Sequence, residues 1–152
     1  MQTRRQALKK SAVVAGLMAS TGLFPQFAFA AYNTTAFEAK NIQDALKALG
    51  AGAPAESKDI TITGPDIAEN GAVVPLGVST TLAGVKSMLV MVEKNPASLT
   101  AMFHMTDSVD PAFSTRAKMG QSSDVYAVAV MGDGKVLFAK KEVKVTLGGC
   151  GG

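Results

Sequence analysis

The chain has 152 residues, 47% of them hydrophobic, with 15 Lys and Arg against 12 Asp and Glu and one cysteine. That is room for a single domain of ordinary size with its own core, and one cysteine excludes an internal disulfide framework. Four of the basic residues, Arg4, Arg5, Lys9 and Lys10, stand at the extreme N-terminus and leave 11 against 12 in the remainder, so no nucleic-acid footprint of clustered cations is expected.

Residues 1–30 read as a targeting segment. Thr3-Arg4-Arg5-Gln6-Ala7-Leu8-Lys9 opens a basic region, an apolar run extends from Ala12 to Leu23, and Ala28-Phe29-Ala30 supplies the small residues of a cleavage site. The paired arginines point to the Tat route into the periplasm, with Ala7 departing from the usual large apolar residue. The apolar run is too short for a membrane span, so the expectation is cleavage after Ala30 and no membrane attachment afterwards.

Residues 31–57 are expected to form a helix and a linker. Thr35 and Glu38 have the spacing of a capping box, Phe37, Ile42, Ala45, Leu46 and Leu49 share a face, and Gly50 takes the position after the cap. From residue 58 the period changes to two. Ile60 and Ile62 alternate with polar residues, Pro65, Asn70 and Gly71 mark a turn, and Ala72 to Ser79 reads as a strand with Pro75 at an edge or bulge. Val85 to Glu93 contains Met88-Leu89-Val90-Met91-Val92, apolar on both faces, which requires cover on both sides; a subunit interface is one candidate cover. Leu99 to Thr106, Phe113 to Met119, Val125 to Met131 and Val136 to Leu147 complete the strands, the last two joined by Gly132-Asp133-Gly134. In the final strand the apolar parity changes between Phe138 and Val143, which predicts a bulge near Ala139 to Lys141. The fold class is therefore mostly β: an immunoglobulin-like antiparallel sandwich over residues 58–147.

The chain ends Gly148-Gly149-Cys150-Gly151-Gly152. Glycines without a Cβ give backbone freedom but no packing surface, so residues 148–152 suit a slim, flexible arm bearing one thiol, with a reach of about 17 Å. In an oxidising compartment an unpaired cysteine signals an external bond, and no neighbouring cationic cluster is present to activate it.

Other constellations carry little chemistry. Met88, Met91, Met102, Met105, Met119 and Met131 fall in predicted strands as core filler. His104, the sole histidine, cannot build a blue-copper site and is expected to face solvent or an interface; Arg116 could contact an anion, but a surface strand residue is the default expectation. No zinc spacing, phosphate loop or nucleophile elbow occurs. No metal, cofactor or catalytic residue is assigned, and the chain lacks the parts of an enzyme.

The stretches Ile67 to Pro75, Glu93-Lys94-Asn95-Pro96, Ser114-Thr115-Arg116 and the tail Val143 to Gly152 closely resemble the SoxY family, the sulfur-carrier subunits of bacterial thiosulfate oxidation. The resemblance implies that Cys150 carries thiosulfate-derived sulfur covalently and presents it to a Sox c-type cytochrome, a sulfate-releasing hydrolase and a sulfane dehydrogenase. It also implies a heterodimer with SoxZ, exported together with this chain. Two other readings stand beside it. One is a carrier holding sulfur as a terminal thiocarboxylate, which needs ATP; the other is a structural sandwich that dimerises through a Cys150 disulfide.

Overall fold

The computed structural model divides the chain into two compact units, Met1–Tyr32 and Asn33–Gly152, and describes Arg4, Lys10 and residues 33–147. The rest of the leader, with Ala28 and Ala30, and the tail Gly148, Gly149, Cys150, Gly151 and Gly152 lie outside the described residues.

The expected single helix is two, α1 (Thr34–Glu38) and α2 (Ile42–Ala48). The reason is local. Ala39 is extended, and its carbonyl accepts from the Ser98 backbone N–H at 3.0 Å instead of continuing a helical ladder. Asparagines do the capping that Thr35 and Glu38 were expected to do: the side chain of Asn33 accepts from Ala36 N–H at 3.0 Å and that of Asn41 from Asp44 N–H at 2.8 Å. Gly50 ends α2 as expected. It has φ +67°, and the bonds Gly50 N–H to Lys47 and Ala51 N–H to Leu46 form a Schellman motif.

Nine strands follow: β1 (Pro54–Glu56), β2 (Ile60–Thr63), β3 (Ile67–Asn70), β4 (Val74–Thr80), β5 (Val85–Val92), β6 (Leu99–His104), β7 (Ala112–Ala117), β8 (Ser123–Met131) and β9 (Val136–Leu147). One sheet has the order β1-β9-β8-β5-β6 with β3 also on β9; the other is β2-β4-β7. The sandwich architecture is as expected, with two additions. β1 lies within the expected linker and β3 within the expected turn, and both pair with β9 in parallel. β1 and β3, of three and four residues, carry no alternating apolar pair of the kind that Ile60 and Ile62 give β2, so no period of two is visible in them.

β5 explains the larger sheet. Met88, Val90 and Val92 belong to the core between the sheets, whereas Leu89 and Met91 pack with Ala36, Ala45 and Leu46 of the helices, and all five strand residues are fully buried. The expected double cover is real, but the chain provides it itself. Val85 to Glu93 is an interior strand between β8 and β6, so it is not a subunit interface. The methionines behave as core: Met88, Met91 and Met119 are fully buried and the other three half-buried.

The expected bulge in β9 is absent, since its register with β8 runs unbroken from Ser123↔Val143 to Val130↔Val136. Val136 and Phe138 face the helices, while Leu137, Ala139, Val143 and Val145 face the other sheet. The helices cover only the beginning of β9. Beyond Phe138 that face carries Lys140, Glu142, Lys144 and Thr146 in solvent, and the change of apolar parity records where the helical cover stops.

Candidate functional site: the anchored end of β9

The candidate group, Cys150, stands three residues beyond Leu147, so the described part of the site is the platform from which the tail departs. β8 pairs with β9 only as far as Ser123↔Val143. Past that point two substitutes hold the strand. On one side the Ser122 hydroxyl accepts from Val145 N–H at 2.9 Å. On the other, β3 pairs Ile67↔Lys144, Ala68↔Val145 and Asn70↔Leu147. Lys144 N–H donates to the Asp66 carbonyl at 2.9 Å, the Thr146 hydroxyl to the Glu69 carbonyl at 2.9 Å, and Gly71 N–H to the Leu147 carbonyl at 2.7 Å. β9 is thus held through its last described residue, Leu147.

The same end of the sandwich gathers stretches far apart in sequence. Met119 N–H donates to the Gly71 carbonyl at 2.7 Å. The Asn95 side chain donates to the Lys118 carbonyl at 2.7 Å and accepts from Gly120 N–H, and Lys94 N–H donates to the Ser123 hydroxyl at 3.0 Å. Pro75 pairs with Arg116 across β4 and β7. Three of the singled-out stretches, Ile67 to Pro75, Glu93 to Pro96 and Ser114 to Arg116, therefore meet where β9 ends. Large apolar side chains are exposed here as well: Ile67 at 58%, Val73 at 57% and Leu147 at 67%.

One ion pair braces the platform. Lys141 reaches from β9 to Asp66 Oδ1 at 2.8 Å and to the Gly64 carbonyl at 2.8 Å, and the Asp66 carboxyl is held below its usual range, first by the Lys141 hydrogen bond and then by its charge. Asp66 is almost fully in solvent, so the pair positions the β2–β3 link more than it stabilises the fold.

Arg116 and His104 are both exposed, as expected of strand residues. His104 is at the opposite end of the sandwich, with Nδ1 at 3.1 Å from the Ser87 hydroxyl. Beside Arg116, the outer face of the smaller sheet holds a shallow groove of about 740 Å³ lined by Thr63, Pro75, Gly77, Ser114 and Thr115. Sequence reasoning missed both β3 as the clamp on β9 and this groove. The available signal was limited to Asn70-Gly71 before Pro75, which marks a turn; that it connects the two sheets at the end of β9 is shown by the pairings alone.

A search of curated proteins returns no match. Among solved structures, the sulfur carrier protein SoxY from Chlorobium limicola f thiosulfatophilum is similar at 33% identity and a TM-score of 0.61, over 67% of this chain and 92% of that one. A superoxide reductase (neelaredoxin) from Ignicoccus hospitalis shares the fold, with 15% identity and a TM-score of 0.51 over 57% of this chain and 78% of that one. The family model described as sulfur oxidation protein SoxY matches residues 45–150, a span that begins in α2 and ends on the cysteine. This chain belongs to the SoxY family of sulfur oxidation proteins.

Proposed function

We propose that this sulfur-oxidation carrier holds thiosulfate-derived intermediates as covalent adducts on Cys150 and presents them, in the periplasm, to partner enzymes. The supporting observation is the contrast at residue 147: a strand hydrogen-bonded on both sides as far as Val145 and by the β3 side through Leu147, followed by four glycines around the only cysteine. A rigid mount with a slim extension lets one thiol enter several deep pockets in turn. About 10 Å separates Leu147 from Cys150 when the arm is extended.

The chemistry assigned to the arm balances as follows. The Cys150 thiolate and thiosulfate join through a new S–S bond, and two electrons pass to a Sox c-type cytochrome. Water then cleaves the terminal S–S bond, releasing sulfate and two protons and leaving a persulfide. A sulfane dehydrogenase oxidises that sulfur with three waters, giving six electrons, six protons and a Cys150 S-sulfonate, which hydrolysis returns to the thiolate with a second sulfate. This chain supplies the nucleophile and its reach, not the activation. An unperturbed thiol, with a pKa of about 8.5, is only a few per cent ionised near neutral pH, so the pocket of a partner must promote ionisation. SoxZ completes the carrier as a heterodimer, and the twin-arginine leader delivers both, with Ala31 as the mature N-terminus after cleavage at Ala28-Phe29-Ala30.

Intact and peptide mass spectrometry of the protein from its native periplasm, without reductant, tests this reading. Reductant-labile additions of sulfur or thiosulfate on the Cys150 peptide are expected. A bare peptide, or only a disulfide dimer, would overturn it. Cys150→Ser should abolish thiosulfate oxidation while leaving the melting temperature unchanged. Valine at both Gly149 and Gly151 should also preserve folding but slow turnover, because a bulkier arm enters narrow pockets poorly.

A further inference from the structure

The two outer faces of the sandwich differ in cover. The helices lie on the larger sheet, whereas the outer face of β2-β4-β7 has no layer upon it among the described residues. Its side chains are small or hydroxylic: Thr63, Gly77 and Ser114 lie side by side in the registers Thr63↔Gly77 and Gly77↔Ser114. The groove exists because of Gly77. A Cβ there would collide with the Thr63 side chain, so glycine keeps the floor low.

The groove has one charge and it is positive. Arg116 is the only arginine outside the leader, it has no carboxylate partner among the described residues, and no acid lines the groove with it. The nearest acidic link residue, Asp66, is engaged by Lys141. A guanidinium flanked by hydroxyls is a donor set for a tetrahedral oxyanion.

Position supplies the occupant. Leu147 and Arg116 are connected through two backbone hydrogen bonds of 2.7 Å, Gly71 to Leu147 and Met119 to Gly71, and then by the three residue steps from Met119 back to Arg116. Those three steps span at most about 10 Å, the same length as the extended arm from Leu147 to Cys150. The five tail residues, fully extended, reach about 17 Å, enough to span that separation.

We propose that this groove is the resting dock of the loaded arm: residues 148–152 fold across the end of the sandwich, and Arg116, Ser114 and Thr63 hold the sulfonate of the adduct on Cys150. This rests on the carrier reading above. The neutral thiol offers Arg116 no charge, so loading is what adds an anion for the groove, and the docked adduct is sheltered from adventitious reductants between partner visits. Docking is then governed by the charge of the cargo.

The test uses the isotopically labelled full chain loaded chemically. The Cys150 thiolate attacks a central sulfur of tetrathionate, forming Cys–S–S–SO₃⁻ and expelling one thiosulfate. Capping with iodoacetamide gives a neutral control on the same sulfur. Loading should shift the backbone amide resonances of Gly77, Ser114 and Arg116, and the neutral cap should not. Reduction of the adduct by an uncharged phosphine should be about three- to tenfold faster in Arg116→Gln, the scale of one charge-assisted hydrogen bond at an exposed site, with Arg116→Lys in between. Both variants change an exposed side chain and should fold. Shifts confined to residues bordering Leu147, equal shifts from the neutral cap, or an unchanged reduction rate in Arg116→Gln would each overturn the dock. So would equal shifts in Cys150→Ser given equimolar free thiosulfate, because the groove would then prefer a free anion to the arm. Because loading here is chemical, absence of a native adduct would defeat the carrier reading without deciding this test.

Discussion

The two sheets share a core but lead different lives on their outer faces. The five central positions of β5 are fully buried because helices α1 and α2 lie on one side and the smaller sheet on the other. β4 alternates buried Val74, Leu76 and Val78 with exposed or half-buried Pro75, Gly77 and Ser79, since only one of its faces is covered. The larger sheet is covered on both faces along β5, and it carries β9, the strand that leads to the cysteine. The smaller sheet contributes half of the core and leaves its other face to solvent, where sequence is free to serve binding.

Substitutions sharpen that contrast. The largest effect is expected for Val90→Asp, which puts an unpaired carboxylate in the fully buried core; a loss above about 4 kcal/mol, enough to unfold the domain, is the scale for such a change. Circular dichroism melts would read it. Thr61→Ala, on the bare outer face, should stay within about 0.5 kcal/mol, and a large effect there would mean that this face is covered after all. Gly77→Val should cost about 1–3 kcal/mol by forcing the Thr63 side chain aside, and it should also fill the groove.

Ser122→Ala tests the mount. It removes the hydroxyl that replaces the β8 ladder at Val145, with an expected cost of about 1 kcal/mol. Faster amide exchange at Val145 should accompany it, with the exchange of β5 amides unchanged. The smallest effect concerns Asp66. Its carboxyl is held low by Lys141, so its contribution is present above the unfolded carboxylate pKa and lost as pH falls through the folded value. Asp66→Asn should therefore flatten the stability profile below about pH 4 and change little at neutral pH, where salt screens the exposed pair. Chemical denaturation at several pH values would check it.

Much of the fold was legible where a period persisted. Seven of the nine strands in the described residues, β2 and β4 to β9, show alternation or a continuous apolar run, and Gly132-Asp133-Gly134 marked the β8–β9 hairpin, with Gly134 at φ +88°. The breaks were less legible. Asn41, a good N-cap residue, is the one local sign that a second helix starts, but the partner that takes the Ala39 carbonyl out of the ladder is Ser98, distant in sequence. The shift of parity in β9 looked like a bulge because a single strand was read against one face, when two different layers cover its two halves.

For the site the division is similar. A lone cysteine among four glycines at the end of a strand is a statement about chemistry and freedom that needs no fold, since it follows from the thiol, the missing Cβ atoms and the absence of a second cysteine. Tertiary structure decided what stands around the departure point. Only the parallel pairing of β3 with β9 holds Leu147 in place, and only the crossing from β3 to β4 through Gly71 sets Arg116 beside the end of the strand that bears the arm. Such neighbours are made by non-local backbone hydrogen bonds, and a linear pattern records what each segment is, not which segment it meets.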